Sequence, residues 1–191
     1  MKKILTVLIL GICFMITGCK DKHPVLENRM INGQLLVYNA NRNKPYSGGY
    51  SVTEYKNNVS VVTEEGYYKK GLQDGTCYIY TDSGVLYLKS TYKNGHKLGY
   101  KQYYYNSDAI DEIVKFNNLE TYRESYYTNR QLKSKGTYYD RKEPNTFEYE
   151  AKIGAYEEYY ENGQLKIKET YNEKGEQLEF LEYSENGVLK K

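Results

Sequence analysis

The chain contains few side chains of the kinds that commonly catalyse reactions or bind metals. It has two histidines, His23 and His96, and His96 lies among turn residues between Gly95 and Gly99. A nucleophilic triad needs a buried histidine oriented by a carboxylate, and a glycine-flanked turn does not provide one. The spacing of His, Cys and acidic residues does not resemble a metal site. We therefore expect no catalytic residue, no metal and no cofactor, and we expect that the chain is not an enzyme.

Glutamates are abundant, and two of them could in principle form a carboxylate pair for acid–base catalysis. Most, such as Glu124 and Glu157, instead occupy positions where a β-hairpin would place a lysine opposite. Cys77 falls at the position that Tyr156 holds in another copy of a repeat described below. These residues are therefore interpreted as parts of a sheet rather than as reactive groups.

Cys19 is the residue with the clearest chemical signature. Lys2 and Lys3 precede an uncharged apolar segment, Ile4–Ile16, which is short for a transmembrane helix and typical of a signal-peptide core. The sequence Ile16-Thr17-Gly18-Cys19 resembles the lipobox of bacterial lipoproteins. That resemblance implies cleavage before Cys19, so that residues 1–18 are a signal peptide, and diacylation of the Cys19 sulfur. The alternative is an ordinary signal peptide with an incidental cysteine.

Charge and cysteine content restrict the partners of the processed chain. Loss of Lys2 and Lys3 leaves 25 basic and 25 acidic residues, so no net field attracts nucleic acid. Cys13 leaves with the signal, and lipidated Cys19 leaves Cys77 alone, which excludes an intrachain disulfide. We expect a lipid-anchored protein of the bacterial envelope. Lys20-Asp21-Lys22 loosely resembles a surface-export signal, so both the periplasmic face of the outer membrane and the cell surface stay open.

The rest of the chain repeats about every 24 residues. Two residues after most of the turn positions comes an apolar residue such as Leu165, and nine residues before several of them comes a glycine such as Gly154. Repeats at such a period indicate stacked supersecondary units. We assign residues 19–30 to a tether and residues 31–191 to about seven repeats, with an inserted loop near 139–152. The repeat turn positions are Gly33, Asn58, Gly84, Asp108, Arg130, Gly163 and Gly187.

Each repeat has the pattern of a β-hairpin. Asn-Gly between alternating segments predicts a two-residue type I′ turn, as at Asn32-Gly33, Asn162-Gly163 and Asn186-Gly187, with Ser83-Gly84 as a weaker example. Such a turn at Asn162-Gly163 pairs Tyr160 with Leu165, Tyr159 with Lys166 and Glu157 with Lys168. The copy at Arg130 then pairs Tyr127 with Leu132, Tyr126 with Lys133 and Glu124 with Lys135.

The repeat resembles the variant MORN repeat (membrane occupation and recognition nexus). The pattern "G-x-Y-x-x-Y-Y-x-N-G-x-L" followed by "Y-x-x-G-x-x-x-G" is clearest in Gly154–Gly175 and Gly75–Gly99, and "KPYSGGY" at Lys44–Tyr50 is similar to the Pro-Tyr-x-Gly entry of that group. The resemblance implies an all-β fold: an elongated, curved antiparallel meander of about 12 to 14 strands. Bacterial proteins built in this way include antitoxins or immunity proteins of the YwqK type.

Tyrosine is the residue most able to form a binding surface in this chain, which has 25 of them. A ladder of rings could stabilise adjacent hairpins, or it could be partly exposed and bind a protein, glycan or peptidoglycan. We expect a non-enzymatic envelope protein that binds another protein, with an immunity protein that neutralises a toxin as the alternative and a glycan-binding module less favoured. The residues predicted to share one position on one face are Tyr80, Tyr104, Tyr126, Tyr159 and Tyr183.

Overall fold

The computed structural model describes residues 24–56, 59–141 and 149–190. In these ranges the chain forms strands and turns, and successive strands pair as antiparallel hairpins. The expected all-β meander of repeated hairpins is therefore confirmed. No helix long and apolar enough to cross a membrane occurs in the described ranges. The signal peptide, Cys19, His23 and the turn at Asn58 lie outside the described residues.

The chain divides into two compact units, the first ending at Lys97. In the first unit, β1, β2 and β3 form a three-stranded sheet, while β4, β5, β7 and β8 pair in that order and β6 pairs with β5. The strands are β1 (Leu26–Ile31), β2 (Gln34–Asn39), β3 (Lys44–Pro45), β4 (Gly48–Lys56), β5 (Val59–Lys69), β6 (Leu72–Gln73), β7 (Gly75–Tyr80) and β8 (Leu86–Lys93).

The second unit begins at Leu98 and is an uninterrupted meander in which each strand pairs with the next. Its first strand, β9, starts two residues before the unit boundary. The strands are β9 (His96–Tyr103), β10 (Ile110–Asn117), β11 (Glu120–Tyr126), β12 (Leu132–Arg141), β13 (Tyr149–Tyr159), β14 (Leu165–Tyr171), β15 (Gln177–Tyr183) and β16 (Leu189–Lys190).

Two segments assigned from sequence have different boundaries in the fold. The tether was expected to reach residue 30, but β1 already begins at Leu26 and pairs with β2 along its length. The inserted loop was expected near 139–152, but Tyr139–Arg141 belong to β12 and Tyr149–Lys152 belong to β13. Only residues 142–148, which lie outside the described ranges, separate the two strands.

The turn at Asn32-Gly33 has the predicted type I′ form. It joins the paired residues Ile31 and Gln34, and both turn residues have positive φ, at 50° and 81°. Asn94-Gly95, between β8 and β9, has the same conformation with φ of 48° and 81°. Asparagine and glycine suit this turn because both tolerate the left-handed region.

The turn at Asn162-Gly163 is not type I′. The Tyr160 amide donates to the Gln164 carbonyl (2.8 Å) and the Gly163 amide donates to the Tyr160 carbonyl (2.9 Å), which closes a three-residue loop, 161–163. Within that loop only Gly163 has positive φ, at 83°. This is a type I turn followed by a left-handed residue. The Asn162 side chain instead accepts a hydrogen bond from the Gln164 amide (2.9 Å).

The longer loop changes the strand register beside it. Tyr159 pairs with Leu165, and a bulge absorbs Lys166 before Glu158 pairs with Ile167. The predicted pairs of Tyr160 with Leu165 and of Tyr159 with Lys166 are therefore wrong. Beyond the bulge the prediction recovers, because Glu157 does pair with Lys168.

The same three-residue turn recurs through both units, so the type I′ prediction is also wrong at Ser83-Gly84 and Asn186-Gly187. In the Arg130 copy, Tyr126 pairs with Leu132, which corrects the predicted pairs Tyr127–Leu132 and Tyr126–Lys133, while Glu124 does pair with Lys135. The turns of this kind span residues 81–85, 127–131, 160–164, 172–176 and 184–188.

Tyrosine rings covering glycines supply much of the buried packing. Tyr50 is 5% exposed and pairs across strands with Gly66, while Tyr156 is 8% exposed and pairs with Gly136. A Cβ placed on Gly136 would lie 2.6 Å from the Tyr156 ring. Glycine is therefore needed at these positions because the facing ring occupies the space of its side chain.

We predict that Gly66→Ala lowers the free energy of unfolding by about 1–3 kcal/mol, because its Cβ would lie 2.8 Å from the Tyr50 ring. The Tyr50 hydroxyl is held by Glu64, which restricts how far the ring can move. Gly49→Ala is the matched control, since its Cβ would meet only the Gly66 carbonyl at 3.7 Å. Urea unfolding measures both, and equal losses would contradict the ring-over-glycine packing.

A second prediction concerns Arg130, which occupies the left-handed turn position with φ of 70°. Arg130→Gly should leave the protein about 1 kcal/mol more stable than Arg130→Ala, because glycine adopts this conformation without strain. Both variants lose the exposed ion pair with Asp108 (2.8 Å), so their difference isolates the backbone. Thermal unfolding that ranks alanine equal to or above glycine would reject the assignment.

Candidate functional site

Four of the five tyrosines predicted to form a ladder share one structural position. Tyr80, Tyr126, Tyr159 and Tyr183 each end a strand, directly before a three-residue turn, and each is half-buried. Tyr104 does not belong with them, because it opens its turn, as Tyr127 and Tyr160 do. The residue that holds the ladder position in β9 is Tyr103.

The error at Tyr104 comes from the length of its loop. The Tyr104 amide bonds to the Ala109 carbonyl (3.0 Å), so this loop, 105–108, is one residue longer than the others. Counting from Asp108 as if it were the turn glycine therefore shifts the alignment by one residue. Asn106 has a left-handed φ of 54°. An asparagine, which tolerates that conformation, is the sequence signal that could have revealed the longer loop.

We call Tyr103, Tyr126, Tyr159 and Tyr183 of the second unit the terminal tyrosine row. Tyr80 holds the equivalent position in the first unit. The row lies on one sheet face, because each member stands two residues after a member of one register line. That line is Lys101, Ile113, Glu124, Lys135, Glu157, Lys168 and Leu181.

Glutamates hold several of these tyrosines by their hydroxyl groups. The Tyr126 hydroxyl donates to Glu124 Oε2 (2.6 Å), and Tyr122 donates to Oε1 of the same carboxylate (2.8 Å). Tyr159 donates to Glu157, again two residues earlier on the same strand. In the first unit, Tyr80 donates to Glu65 Oε1 (2.5 Å). Each of these rings is therefore fixed at its polar end.

A lysine from the neighbouring strand completes the arrangement around Tyr159. Lys135 Nζ lies 2.8 Å from Glu157 Oε2 and 5.8 Å from the centre of the Tyr159 ring. The carboxylate of Glu157 thus bonds the lysine of β12, although its register partner in β14 is Lys168. Lys133 similarly lies 5.6 Å from the centre of the Tyr127 ring. The cations therefore lie against tyrosine rings and also balance the carboxylates.

These contacts shift the ionisation of the groups involved. Hydrogen bonds from Lys135 and then from Tyr159 hold the pKa of Glu157 below its ordinary 4.5, and Glu157 raises the pKa of Lys135. Burial opposes ionisation of Glu124, but bonds from Tyr126 and Tyr122 outweigh it and lower its pKa. Burial, followed by the acceptor Glu124, raises the pKa of Tyr126 to about 12. At neutral pH the glutamates are charged and the tyrosines neutral.

A second set of tyrosines ties each hairpin turn to the next, through contacts that the sequence did not predict. The hydroxyl groups of Tyr104, Tyr127 and Tyr160 donate to the carbonyl oxygens of Tyr126, Tyr159 and Tyr183, at 2.6, 2.9 and 2.8 Å. The Asn162 side chain adds a parallel bond to the Glu185 carbonyl (3.0 Å). Each turn tyrosine thus fixes the backbone of one residue in the terminal tyrosine row.

The opposite face of the second unit is more buried, and it contains a carboxylate with several hydrogen-bond donors. Glu169 is 9% exposed and accepts hydrogen bonds from Lys152 (2.6 Å), Tyr171 (2.9 Å) and Gln177 (3.2 Å). Lys152 Nζ also lies 3.5 Å from the centre of the Tyr156 ring. A buried carboxylate with three donors is a structural group that needs no ligand to satisfy it.

Cys77 is a buried sheet residue that pairs with Ser90. Its sulfur lies 3.4 Å from the Tyr50 hydroxyl and 3.7 Å from Glu64 Oε1, and burial raises the pKa of the thiol. A protonated, buried thiol is a poor nucleophile. His96 is an exposed residue at the start of β9. Among the residues that the structure describes, no group of three or more His, Cys, Asp or Glu could hold a metal ion.

Comparison with known proteins adds no relative. The chain matches no protein-family model, and a search of the curated proteins finds no significant match.

Tyrosines with raised pKa values predict a loss of stability at alkaline pH. Burial first, and neighbouring carboxylates second, raise the pKa values of Tyr80, Tyr122 and Tyr126 from 10.0 to about 12. Between these two values the unfolded chain releases protons that the folded chain keeps. The contribution of these tyrosines to the free energy of unfolding is therefore fully present below pH 10 and falls as the pH rises towards 12.

Urea unfolding across this pH range, with tyrosinate absorbance recorded in parallel, measures the effect. Tyr126→Phe should make the loss of stability less steep, whereas Tyr55→Phe, at a ring that is 72% exposed, serves as the matched control. Stability that stays constant to pH 12 would show that these hydroxyl groups are not held as described.

Proposed function

We propose that this chain is a non-enzymatic, lipid-anchored protein of the bacterial envelope that binds another protein through the terminal tyrosine row. The observation that carries the proposal is the state of the row. Its rings are half-buried, and those of Tyr126 and Tyr159 are fixed by Glu124 and Glu157 before any partner arrives.

Prior fixation of the rings favours binding for an energetic reason. Association normally costs roughly 0.5–1.5 kcal/mol for each flexible side chain that becomes immobilised. Tyrosine adds large contact area with few rotatable bonds, which is why binding surfaces are enriched in it. In the row much of that ordering has already occurred on folding, so ring faces and edges can contact a partner at a lower entropic cost.

The charges around the row favour a protein partner over nucleic acid. Glu124, Lys135, Glu157 and Lys168 alternate in sign along one register line of the face. Such a surface has no extended positive field for phosphates, but it offers complementary donors and acceptors to a mixed protein surface. The envelope location rests on the lipobox-like sequence at Cys19 and on the resemblance to variant MORN repeats.

Site-specific photocrosslinking tests the proposal in cells that produce the native chain. A photoreactive phenylalanine in place of Tyr126 should yield a defined adduct with one protein. The same group in place of Phe116, an aromatic residue on the opposite face that is 37% exposed, is the matched control and should not. In the same cells, Cys19→Ser should move the chain out of the membrane fraction.

The identity of the adduct separates the possible roles. A toxin encoded beside this chain would make it an immunity protein, and another envelope protein would support a general interaction role. Adducts of equal yield from both positions, or none from either, would count against the terminal tyrosine row. A Cys19→Ser chain that stays in the membrane fraction with unchanged mass would count against the lipid anchor.

A further inference from the structure

The first hairpin of the chain has an apolar tip. Met30, Ile31 and Leu35 surround the Asn32-Gly33 turn between β1 and β2, and they are 61%, 38% and 57% exposed. Met30 and Leu35 are cross-strand partners on one face of the hairpin, while Ile31 lies on the other. We call these three residues the β1–β2 tip.

The turn at the tip has open space beside it. A Cβ built on Gly33 would have no atom within 4 Å. The other Asn-Gly type I′ turn, Asn94-Gly95, contrasts with it, because Lys93 and His96 flank that turn directly. A hairpin end in water normally has such polar flanks, so three exposed apolar side chains around one turn indicate a contact surface.

The position of the tip relative to the N-terminus indicates what it contacts. Cys19 precedes Leu26, the first residue of β1, by seven residues. A chain of that length can span about 23 to 25 Å when extended. The strand from Leu26 to Ile31 is about 17 Å long. The chain before β1 is therefore long enough for Cys19 to lie level with the tip.

We propose that the β1–β2 tip inserts into the headgroup region of the phospholipid bilayer that holds the lipidated Cys19. This inference rests on the proposed lipid anchor and adds a second, non-covalent contact to it. An acyl chain alone leaves a protein free to rotate and tilt about its tether. A second contact at the tip fixes the orientation of the first unit relative to the membrane.

The chemistry of the hairpin fits a shallow position in the bilayer interface. The apolar side chains of the tip can enter the boundary between headgroups and acyl chains, where interfacial segments bury their apolar faces to roughly 5–10 Å. Asn32 and Gln34 keep the turn itself polar, which opposes deeper insertion. Arg29, one residue before the tip, lies over the Tyr38 ring at 4.6 Å and donates hydrogen bonds to Glu27 and Asn43. This charged residue therefore marks the polar limit of the inserted end.

Vesicles that anchor the chain without its acyl group test the tip directly. Residues 19–191 with Cys19→Ser and an N-terminal hexahistidine are bound to phosphatidylethanolamine and phosphatidylglycerol vesicles that contain a nickel-chelating lipid. An environment-sensitive dye is placed at Gln34→Cys or, as the control site, at Thr91→Cys, an exposed position on β8. Cys77 is buried and should not react with the dye. The chain with Cys77 as its only cysteine, treated with the same dye, is the control for this.

We expect the dye at position 34 to shift to the blue and to be several-fold less accessible to an aqueous quencher than the dye at position 91. Met30→Ser with Leu35→Ser should abolish that protection, because the exposed apolar side chains provide the insertion. Val59→Ser, at an exposed apolar side chain of matching exposure on β5, should leave the protection intact. Unfolding curves confirm that all variants are folded.

Equal accessibility of the two dyes on vesicles would overturn the inference, as would protection that survives the double substitution. Because the nickel lipid replaces the acyl chain, this result does not depend on processing of Cys19. Mass spectrometry of the native chain tests the acylation separately. A soluble, unacylated native chain would therefore refute the anchor alone, and an exposed position 34 would refute the tip alone.

Discussion

The hydrogen bond from a tyrosine hydroxyl to a glutamate carboxylate is the interaction on which both faces of these sheets depend. A sheet that buries few large aliphatic side chains must gain area from tyrosines, and each tyrosine brings a hydroxyl that needs a partner. Glutamates on the same strand as the ring or on the adjacent strand supply it, on either face: Glu64, Glu65, Glu124, Glu157 and Glu158. Lysines then balance several of these carboxylates, as Lys135 does for Glu157. The glutamates and lysines of these sheets are thus linked to the use of tyrosine as the main packing residue.

The three-residue turn has an equally wide influence. Its left-handed third residue returns the chain with a bulge, and the bulge decides which side chains lie opposite one another next to the turn. It also places the residue directly before the three-residue loop where its side chain reaches the following hairpin, as Tyr127 and Tyr160 do. Asn162 takes part twice, through its own turn and through the Glu185 carbonyl. The asparagine that suggested a type I′ turn therefore serves side-chain hydrogen bonding in a right-handed conformation.

Several features could be inferred from sequence because they repeat. The period, the hairpins and the pairs Glu157–Lys168 and Glu124–Lys135 follow from alternation and from copies that support one another. The pairs next to the turns could not be inferred from the sequence. Two-residue and three-residue loops share the Asn-Gly signature, but they differ by one residue in strand register. Tyr104 was misplaced for a related reason: a longer loop leaves no glycine to mark its end. The contacts of the turn tyrosines were missed because they join residues 22 to 32 positions apart that no local pattern connects.

The bonds from each turn tyrosine to the next hairpin also bear on how such a chain can change over time. In the second unit, these bonds and the strand ladders join a hairpin mainly to its immediate neighbours, so stability is close to a sum of local and nearest-neighbour contributions. Duplication or deletion of one hairpin would then leave the remaining contacts intact, provided that a tyrosine and a carbonyl meet at the new junction. A longer connection between β12 and β13 is compatible with the same scheme, since these two strands pair up to Arg141 and Tyr149 on either side of it. The number of hairpins can thus change through gene duplication without loss of the fold, so the length of the sheet can vary by whole hairpins.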